Sequence, residues 1–367
     1  MRDDAGGFDG AMMRRALALA VRGWGQTAPN PMVGAVVVRD EEVVGEGWHA
    51  RWGGPHAEIV ALEAAGARAR GATVYVTLEP CAHHGKTPPC VDALVAAGVR
   101  RVVVAVRDPS TDARGGAERL RAAGIEVVVG AEEEAARELN APFFHATSSD
   151  RPWLTLKLAV SIDGAIADHT RRPGWITAEP ARREVHRLRA GSDAVAVGAG
   201  TVRTDDPVLT VRDAEAPRVA PARVVFAAAR LIDPASRLAA SAREIPTIVV
   251  GPVVSGERAD ALRARGVELV EAVTLAAGLA ALRSRGIRSV LVEGGARLAG
   301  ALWQASLVDR LVIFQGPVVL GAGALNAFGY VPGTEVGRAP RLRVLNRREL
   351  GDDLATCYAV SSTPEVR

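Results

Sequence analysis

Lysine is nearly missing from this chain: of 45 basic residues only Lys86 and Lys157 are lysines, and the rest are arginine. Set against 42 acidic residues they leave a formal charge of +3, with no dense basic run. The arginine is therefore a compositional habit, and a nucleic-acid surface is not expected. Cysteine is scarce too, at three residues. That number excludes a disulfide framework, and because two of them share one short loop it suits a reducing cytoplasm and a metal. Long apolar runs are also absent. Nothing approaches the ~18 residues of a membrane helix. The stretch from Met13 to Val21 imitates a signal peptide but is short, and Arg22 closes it without a cleavage-like site. A cytoplasmic protein without membrane partners is expected.

What remains is an ordinary globular composition, 48% hydrophobic and 24% charged, over 367 residues. That length exceeds one comfortable core, so two domains are expected. Residues 8–22 place Phe8, Met12, Ala16 and Leu19 at helical spacing. Two β-rich runs, 33–38 and 43–48, read as a hairpin. Helix 57–65, strand 73–78, helix 91–97, strand 101–106, helix 117–123, strand 125–129 and helix 132–139 follow. This alternation predicts a three-layer α/β/α sandwich. A polar stretch from Ala146 to Pro152 marks the boundary. It gives domains 1–147 and 151–367. Strands are predicted in the second at 153–160, 194–197, 223–226, 247–250, 289–292 and 310–315.

The strongest chemical signal is His56-Ala57-Glu58 followed by Pro80-Cys81 and Pro88-Pro89-Cys90. One imidazole and two thiolates make three zinc ligands and leave a fourth tetrahedral position for water. Two thiolates cancel the zinc charge, so the water is less acidified than at an all-histidine site and a neighbouring carboxylate base becomes useful. Glu58 is placed to take its proton and pass it to a ring nitrogen or leaving amine. His56 and Cys90 are each expected to open a helix, where the helix dipole favours anionic sulfur, and Cys81 to end a strand. A structural zinc site closed by His83 or His84 is the plainer alternative. Those histidines and Lys86 read equally as a solvated loop or as a site for a substrate phosphate. Asn30 is either a turn residue or a base contact, His49 is read as surface or as backing for the site, and Cys357 as a small buried residue.

In the second half no Gly-x-Gly-x-x-Gly follows a strand, against a Rossmann site. Residues 289–301 instead read strand, glycine turn, helix, a place where phosphate can approach backbone N–H groups. The plain alternative is a tight left-handed turn.

The cysteines stand further apart than in the general zinc-deaminase pattern Pro-Cys-x-x-Cys. The loop Glu79-Pro-Cys-Ala-His-His-Gly-Lys-Thr-Pro-Pro-Cys90 resembles that of the bifunctional riboflavin-biosynthesis deaminase–reductases of bacteria. The resemblance extends to Ala28-Pro-Asn-Pro-Met-Val-Gly34, Pro55-His-Ala-Glu58, 157–164, Trp175-Ile-Thr177, 201–212 and Val292-Glu-Gly-Gly295, nearly the whole chain. It implies a cytidine-deaminase-like domain followed by a dihydrofolate-reductase-like α/β domain, one zinc, NADPH, a small phosphorylated pyrimidine substrate and a homo-oligomer. Carried across by position, Gly295, Ala296, Arg297, Leu298, Ala299, Gly300 and Ala301 would hold the cofactor pyrophosphate. Ala159, Trp175, Thr201 and Asp205 would lie along the cofactor; Trp175 reads equally as core. Asn30 would touch the pyrimidine. Lys157, Pro173, Arg189, Leu209, Arg212 and Glu293 would line the reductase substrate site, the arginines suiting its phosphate. Lys157, expected at a strand end, would polarise the opened sugar carbonyl, bind phosphate or lie on the surface.

Three places depart from the family pattern. Ala159 replaces a cofactor-lining glycine, Pro173 a substrate-binding serine, and Ala227-Ala228 an Asp-Ser pair, although Arg230 remains for a 2′-phosphate. They predict weaker NADPH binding. The implied activity is deamination of 2,5-diamino-6-ribosylamino-4(3H)-pyrimidinone 5′-phosphate, then reduction of its ribosyl group to ribityl. The rivals are a nucleoside or tRNA-base deaminase with an inactive second domain, and a binding module with structural zinc.

Overall fold

The computed structural model describes residues 7–360 except 84–87, 111–114, 173, 229 and 254. The chain divides into two compact units, Met1–Ser148 and Ser149–Arg367.

The first unit is built on a sheet of five strands, β1 (Gly34–Arg39), β2 (Glu42–Trp48), β3 (Thr73–Val76), β4 (Arg101–Val104) and β5 (Glu126–Val129), in the order β2-β1-β3-β4-β5. The β1–β2 and β1–β3 pairs are antiparallel, and β3, β4 and β5 run parallel. Alternation in β1 separates two cores. Ala35 and Val37 pack with α2 (Ala57–Ala65), α3 (Cys90–Ala97) and α4 (Gly116–Ala122), whereas Val36 and Val38 pack with α1 (Phe8–Ala20) and α5 (Glu133–Leu139). These are the three layers expected. Glycines set how closely α2 approaches: a Cβ on Gly45 or Gly47 would stand 2.3 Å from Ala61 O or 2.4 Å from Ala57 O. That close seat fixes His56 and Glu58 at the head of α2.

Strands β3 and β4 end before the expected 78 and 106, so Cys81 lies in the loop beyond β3 rather than at a strand end. A short helix α6 (Ala141–Ala146) was not foreseen; its proline stands in the first turn, where no N–H is needed.

The second unit holds β6 (Trp153–Val160), β7 (Ala165–Ala167), β8 (Ala194–Gly198), β9 (Ala222–Phe226), β10 (Thr247–Gly251), β11 (Glu268–Glu271), β12 (Ser289–Glu293), β13 (Arg310–Gln315), β14 (Leu325–Asn326), β15 (Arg343–Leu350) and β16 (Asp353–Ala359). Nine of them form one sheet, β11-β10-β9-β8-β12-β6-β13-β16-β15, and β14 pairs with β7. The seven strands from β11 to β13 are parallel, β16 runs antiparallel to β13, and β15 runs antiparallel to β16. Helices α7 (Glu179–Ala190), α8 (Ala199–Asp205), α9 (Arg237–Ala240), α10 (Glu257–Ala264), α11 (Leu275–Arg283) and α12 (Ala296–Gln304) cover its faces. Leu154, Leu156 and Leu158 of β6 face the core beneath α11 and α12. The intervening Lys157 and Ala159 face the α7 side. Lys157 is thus mid-strand, not at a strand end. The terminal hairpin escaped sequence reading because β15 is exposed along nearly its whole length and shows no alternation.

Candidate active sites

His56 is the N-cap of α2, and Cys90 is the first residue of α3, entered through Pro89. Both helix starts therefore meet at one point, and the loop after β3 brings Cys81 to them. His56 Nδ1 lies 3.2 Å from Cys90 Sγ and 3.7 Å from Cys81 Sγ, and the Cys90 amide donates to Cys81 Sγ at 3.3 Å. A tetrahedral zinc with bonds of ~2.0 Å to nitrogen and ~2.3 Å to sulfur sets N···S edges of roughly 3.5 Å. The observed pair brackets that edge, and all three ligand atoms lie within 4.8 Å of one another, a set that suits the ion. No other group of three metal-ligating side chains occurs among the described residues. His83 is exposed at the cavity edge rather than a fourth ligand; His84 and Lys86 lie outside the described residues. A hydrogen bond from the Cys90 thiol draws Cys81 down to about 4, and the same contact pushes Cys90 up. Two sulfurs sharing one proton is the state a divalent cation would replace with two thiolates.

Glu58 sits in the first turn of α2, only 3% exposed, and its carboxyl is hydrogen-bonded with Cys90. Burial raises its pKa, against the opposing pull of His56. A cavity of about 350 Å³ opens onto this group, lined also by Asn30, His49, Trp52, Asp108, Ser110 and Phe143. Asn30 is thus in the cavity wall rather than in an isolated turn. His49 is buried, contrary to a surface placement, with its ring 5.6 Å from that of His56. It donates from Nδ1 to the Pro55 carbonyl at 2.9 Å, which leaves Nε2 to accept from Asn30 Nδ2 at 3.4 Å. Sequence reading missed Asp108 and Ser110. The available signal was Asp108-Pro109 directly after an apolar strand, where loop residues of a parallel sheet face the site.

In the second unit, the parallel strands β6 and β12 set Lys157 and Glu293 in register. Arg189 of α7 forks onto Glu293, 2.5 Å from Nε to Oε1 and 3.0 Å from Nη2 to Oε2, and donates to the Thr210 carbonyl at 2.8 Å. Burial holds the Lys157 amine below its usual value, Glu293 working against that and Arg189 with it. His186 of α7 accepts from the Arg212 amide at 3.0 Å. Lys157, Arg189 and Glu293 are therefore brought together, and the Arg212 backbone is anchored to α7 with its side chain exposed. Leu209 is different: its side chain is buried in the core under α8, so only its backbone, at φ +54°, is left for a ligand.

Helices α8 and α12 start side by side, at the carboxyl ends of the neighbouring strands β8 and β12, with no side-chain cap on either. Gly295 is the N-cap of α12 with φ −76°, so the glycine turn is not the left-handed one considered above. A Cβ there would reach within 3.5 Å of Thr201 Oγ1, filling the gap between the two helix starts. A cradle kept open by glycine beside free helix N–H groups fits a pyrophosphate. The fit covers only part of 295–301. The Ala299 amide is already bonded to Gly295 O, and Ala299 and Gly300 are buried against the core and Tyr330. Gly295, Ala296, Arg297 and Leu298 are left to donate, whereas Ala299, Gly300 and Ala301 shape the helix behind them. Asp205 is exposed one turn along α8 from Thr201. Trp175 is 80% exposed, which excludes the core alternative, and Arg182 stacks on its ring at 5.0 Å. Ala159 packs against the α7 cluster, Ala227 is buried and Arg230 exposed. Pro173 lies outside the described residues.

Residues 8–106 match the cytidine and deoxycytidylate deaminase zinc-binding region, and residues 152–356 match the RibD C-terminal domain. The chain is 42% identical over 354 residues to the riboflavin biosynthesis protein RibD of Aquifex aeolicus, covering 96% of this chain and 98% of that one. Against RibD of Escherichia coli it is 41% identical, covering 93% and 96%. Among solved structures, Acinetobacter baumannii RibD superposes with a TM-score of 0.82 at 37% identity, covering 96% of this chain and 98% of that chain. A Thermotoga maritima protein described as a diaminohydroxyphosphoribosylaminopyrimidine deaminase and 5-amino-6-(5-phosphoribosylamino)uracil reductase gives 0.83 at 36%, with the same coverage. The two family matches fall on the two units with their separate sites, and the chain belongs to the RibD family, bifunctional zinc-dependent deaminases and NADP-dependent reductases of riboflavin biosynthesis.

Proposed function

We propose that the first unit deaminates 2,5-diamino-6-ribosylamino-4(3H)-pyrimidinone 5′-phosphate and that the second then reduces the ribosyl group of the product to ribityl. The observation that carries the first step is a buried carboxyl, Glu58, beside a three-ligand metal set at the floor of a cavity of about 350 Å³. His56, Cys81 and Cys90 would hold the zinc, which would supply Lewis acidity toward an incoming water. Glu58 takes a proton from the incoming water and returns it to the ring nitrogen or the departing ammonia; its raised pKa suits a group that must both accept and donate. Asn30, oriented by His49, reads the pyrimidine edge.

In the second unit NADPH supplies hydride. Gly295, Ala296, Arg297 and Leu298 would hold its pyrophosphate, with Thr201, Asp205, Ala159 and Trp175 alongside. Arg189 and Arg212 would bind the substrate phosphate, Glu293 would hold the opened sugar through its hydroxyls, and Lys157 would polarise the C1′ carbonyl. The chain works on a small phosphorylated molecule in the cytoplasm, as a homo-oligomer and without nucleic acid or membrane. A nucleoside or tRNA-base deaminase with an inert second unit gives no reason for the Lys157–Glu293–Arg189 cluster.

The test supplies the deaminated compound directly and follows NADPH absorbance. Oxidation should proceed and should survive a zinc chelator that stops ammonia release from the first substrate; no oxidation even at high cofactor would leave a deaminase only. The same assay carries a pH prediction. A protonated Lys157 is required, so activity is present below its pKa and lost above it. Because burial lowers that value, the alkaline limb should fall below the usual 10.5. Lys157→Arg does not titrate in this range, so any activity it keeps should lack that limb. A limb that persists in the arginine variant assigns it to another group.

A further inference from the structure

Glu79 lies two residues before the ligand Cys81, and its side chain has no solvent exposure. The guanidinium of Arg107 is 4.0 Å away and itself engaged with Glu118 at 2.8 Å. What meets the carboxylate directly is backbone from a different part of the chain. Oε1 accepts from the amides of Gly115 at 3.2 Å and Ala117 at 3.0 Å, and Oε2 accepts from Asp108 at 3.2 Å. Three N–H groups on one buried carboxyl hold it and the backbone that carries them in place. Asp108 in turn accepts at Oδ1 from the Ser110 amide at 2.8 Å and hydroxyl at 2.7 Å. Asp108 and Ser110 line the cavity in which Glu58 and Cys81 stand. One buried carboxylate therefore ties the zinc-ligand loop to a second wall of the same cavity.

Two further contacts seat the α4 end of that wall. A Cβ on Gly116 would stand 1.9 Å from the Pro80 carbonyl, and Arg119 donates to the Ala82 carbonyl at 2.5 Å. We propose that Glu79, at the edge of that cavity with its carboxyl buried, is a positioning residue for the deaminase: acting through those backbone amides, it fixes the Asp108–Ser110 wall against the Cys81 loop and so sets the shape of the substrate cavity. This rests on reading that cavity as the pyrimidine site.

Glutamine fills the same space but replaces one acceptor oxygen with a donor. In either amide orientation at least one of the three N–H groups faces an NH₂ and loses its bond. In the full chain with zinc, Glu79→Gln should raise the KM for the pyrimidinone phosphate at least about tenfold and leave kcat within a few-fold. Zinc content and NADPH oxidation with the deaminated compound should stay at their original levels. Asp108→Asn keeps the glutamate and its three amide donors but alters the wall, and should move KM in the same direction. An unmoved KM in either variant overturns the proposal. So does zinc lost from Glu79→Gln together with ammonia release, because Glu79 then serves the metal loop alone. Absence of ammonia release from the unaltered chain would instead overturn the substrate reading.

Discussion

Glu58→Gln should retain its zinc and release ammonia roughly 10³- to 10⁴-fold more slowly, the upper range for loss of a positioned acid–base group. The size follows from position. Glu58 is buried at the first turn of α2, next to His56 yet outside the set of three ligand atoms that converge. The amide occupies nearly the same volume, so the cavity and the ligands stay in place while proton transfer is lost in both directions. Metal analysis of the purified variant, beside an ammonia assay, separates the two roles. A variant that loses zinc and recovers activity on refilling would make Glu58 a support for the metal rather than the proton carrier. Reductase turnover in the same sample should be unchanged, since the Lys157–Glu293 cluster belongs to the other unit.

Arg223→Met should lower the stability of the second unit by at least about 3 kcal/mol, because several buried acceptors lose their donor together. Arg223 is 1% exposed at the start of β9. Its Nη2 donates to the carbonyls of Leu238, Ser241 and Ile245 at 3.2, 3.0 and 2.9 Å and to Thr247 Oγ1 at 2.7 Å, while Nη1 reaches Ser241 Oγ at 2.7 Å. The Leu238 and Ser241 carbonyls belong to the end of α9, where a cation meets the negative end of the helix. Methionine fills much of the space but donates nothing, so these carbonyls stay buried without that partner. For a unit of this size the loss corresponds to a melting point lower by about 6–12 °C. Thermal inactivation of NADPH oxidation should shift by that much while ammonia release from the same chain does not. Equal shifts in both would mean that the two units unfold as one.

The convergence of His56, Cys81 and Cys90 was legible because each stands beside a signalled element boundary. Proline before a helix start fixes where His56 and Cys90 stand, and a three-ligand set needs only that their loops converge. The three-layer order was legible from alternation in strands such as β1, whose two faces are both covered. Arg223 was not legible, because a charged residue opening a strand reads as a surface end. Only the tertiary fold shows that the α9 carbonyls close over it. Glu79 and Asp108 were hidden for a related reason: their partners are backbone amides remote in sequence, which carry no residue signature. The Gly294-Gly295 turn was read correctly as the start of a helix. How few of its N–H groups stay free depended on the Ala299 bond and the packing of Gly300 on Tyr330. The resemblance supplied the remaining reductase positions, and the fold separates Thr201, at the two helix starts, and Lys157, in register with Glu293, from Leu209, whose side chain is core.

Two successive reactions on one chain leave products of different mass, and a mass measurement distinguishes them. The full chain is incubated with the diaminopyrimidinone phosphate, once without and once with NADPH. Without NADPH a single product is expected, in which an amino nitrogen has been exchanged for oxygen; with NADPH that product should gain two hydrogens. Reduction of the substrate ahead of deamination, or an unchanged substrate in both incubations, would contradict that succession of reactions.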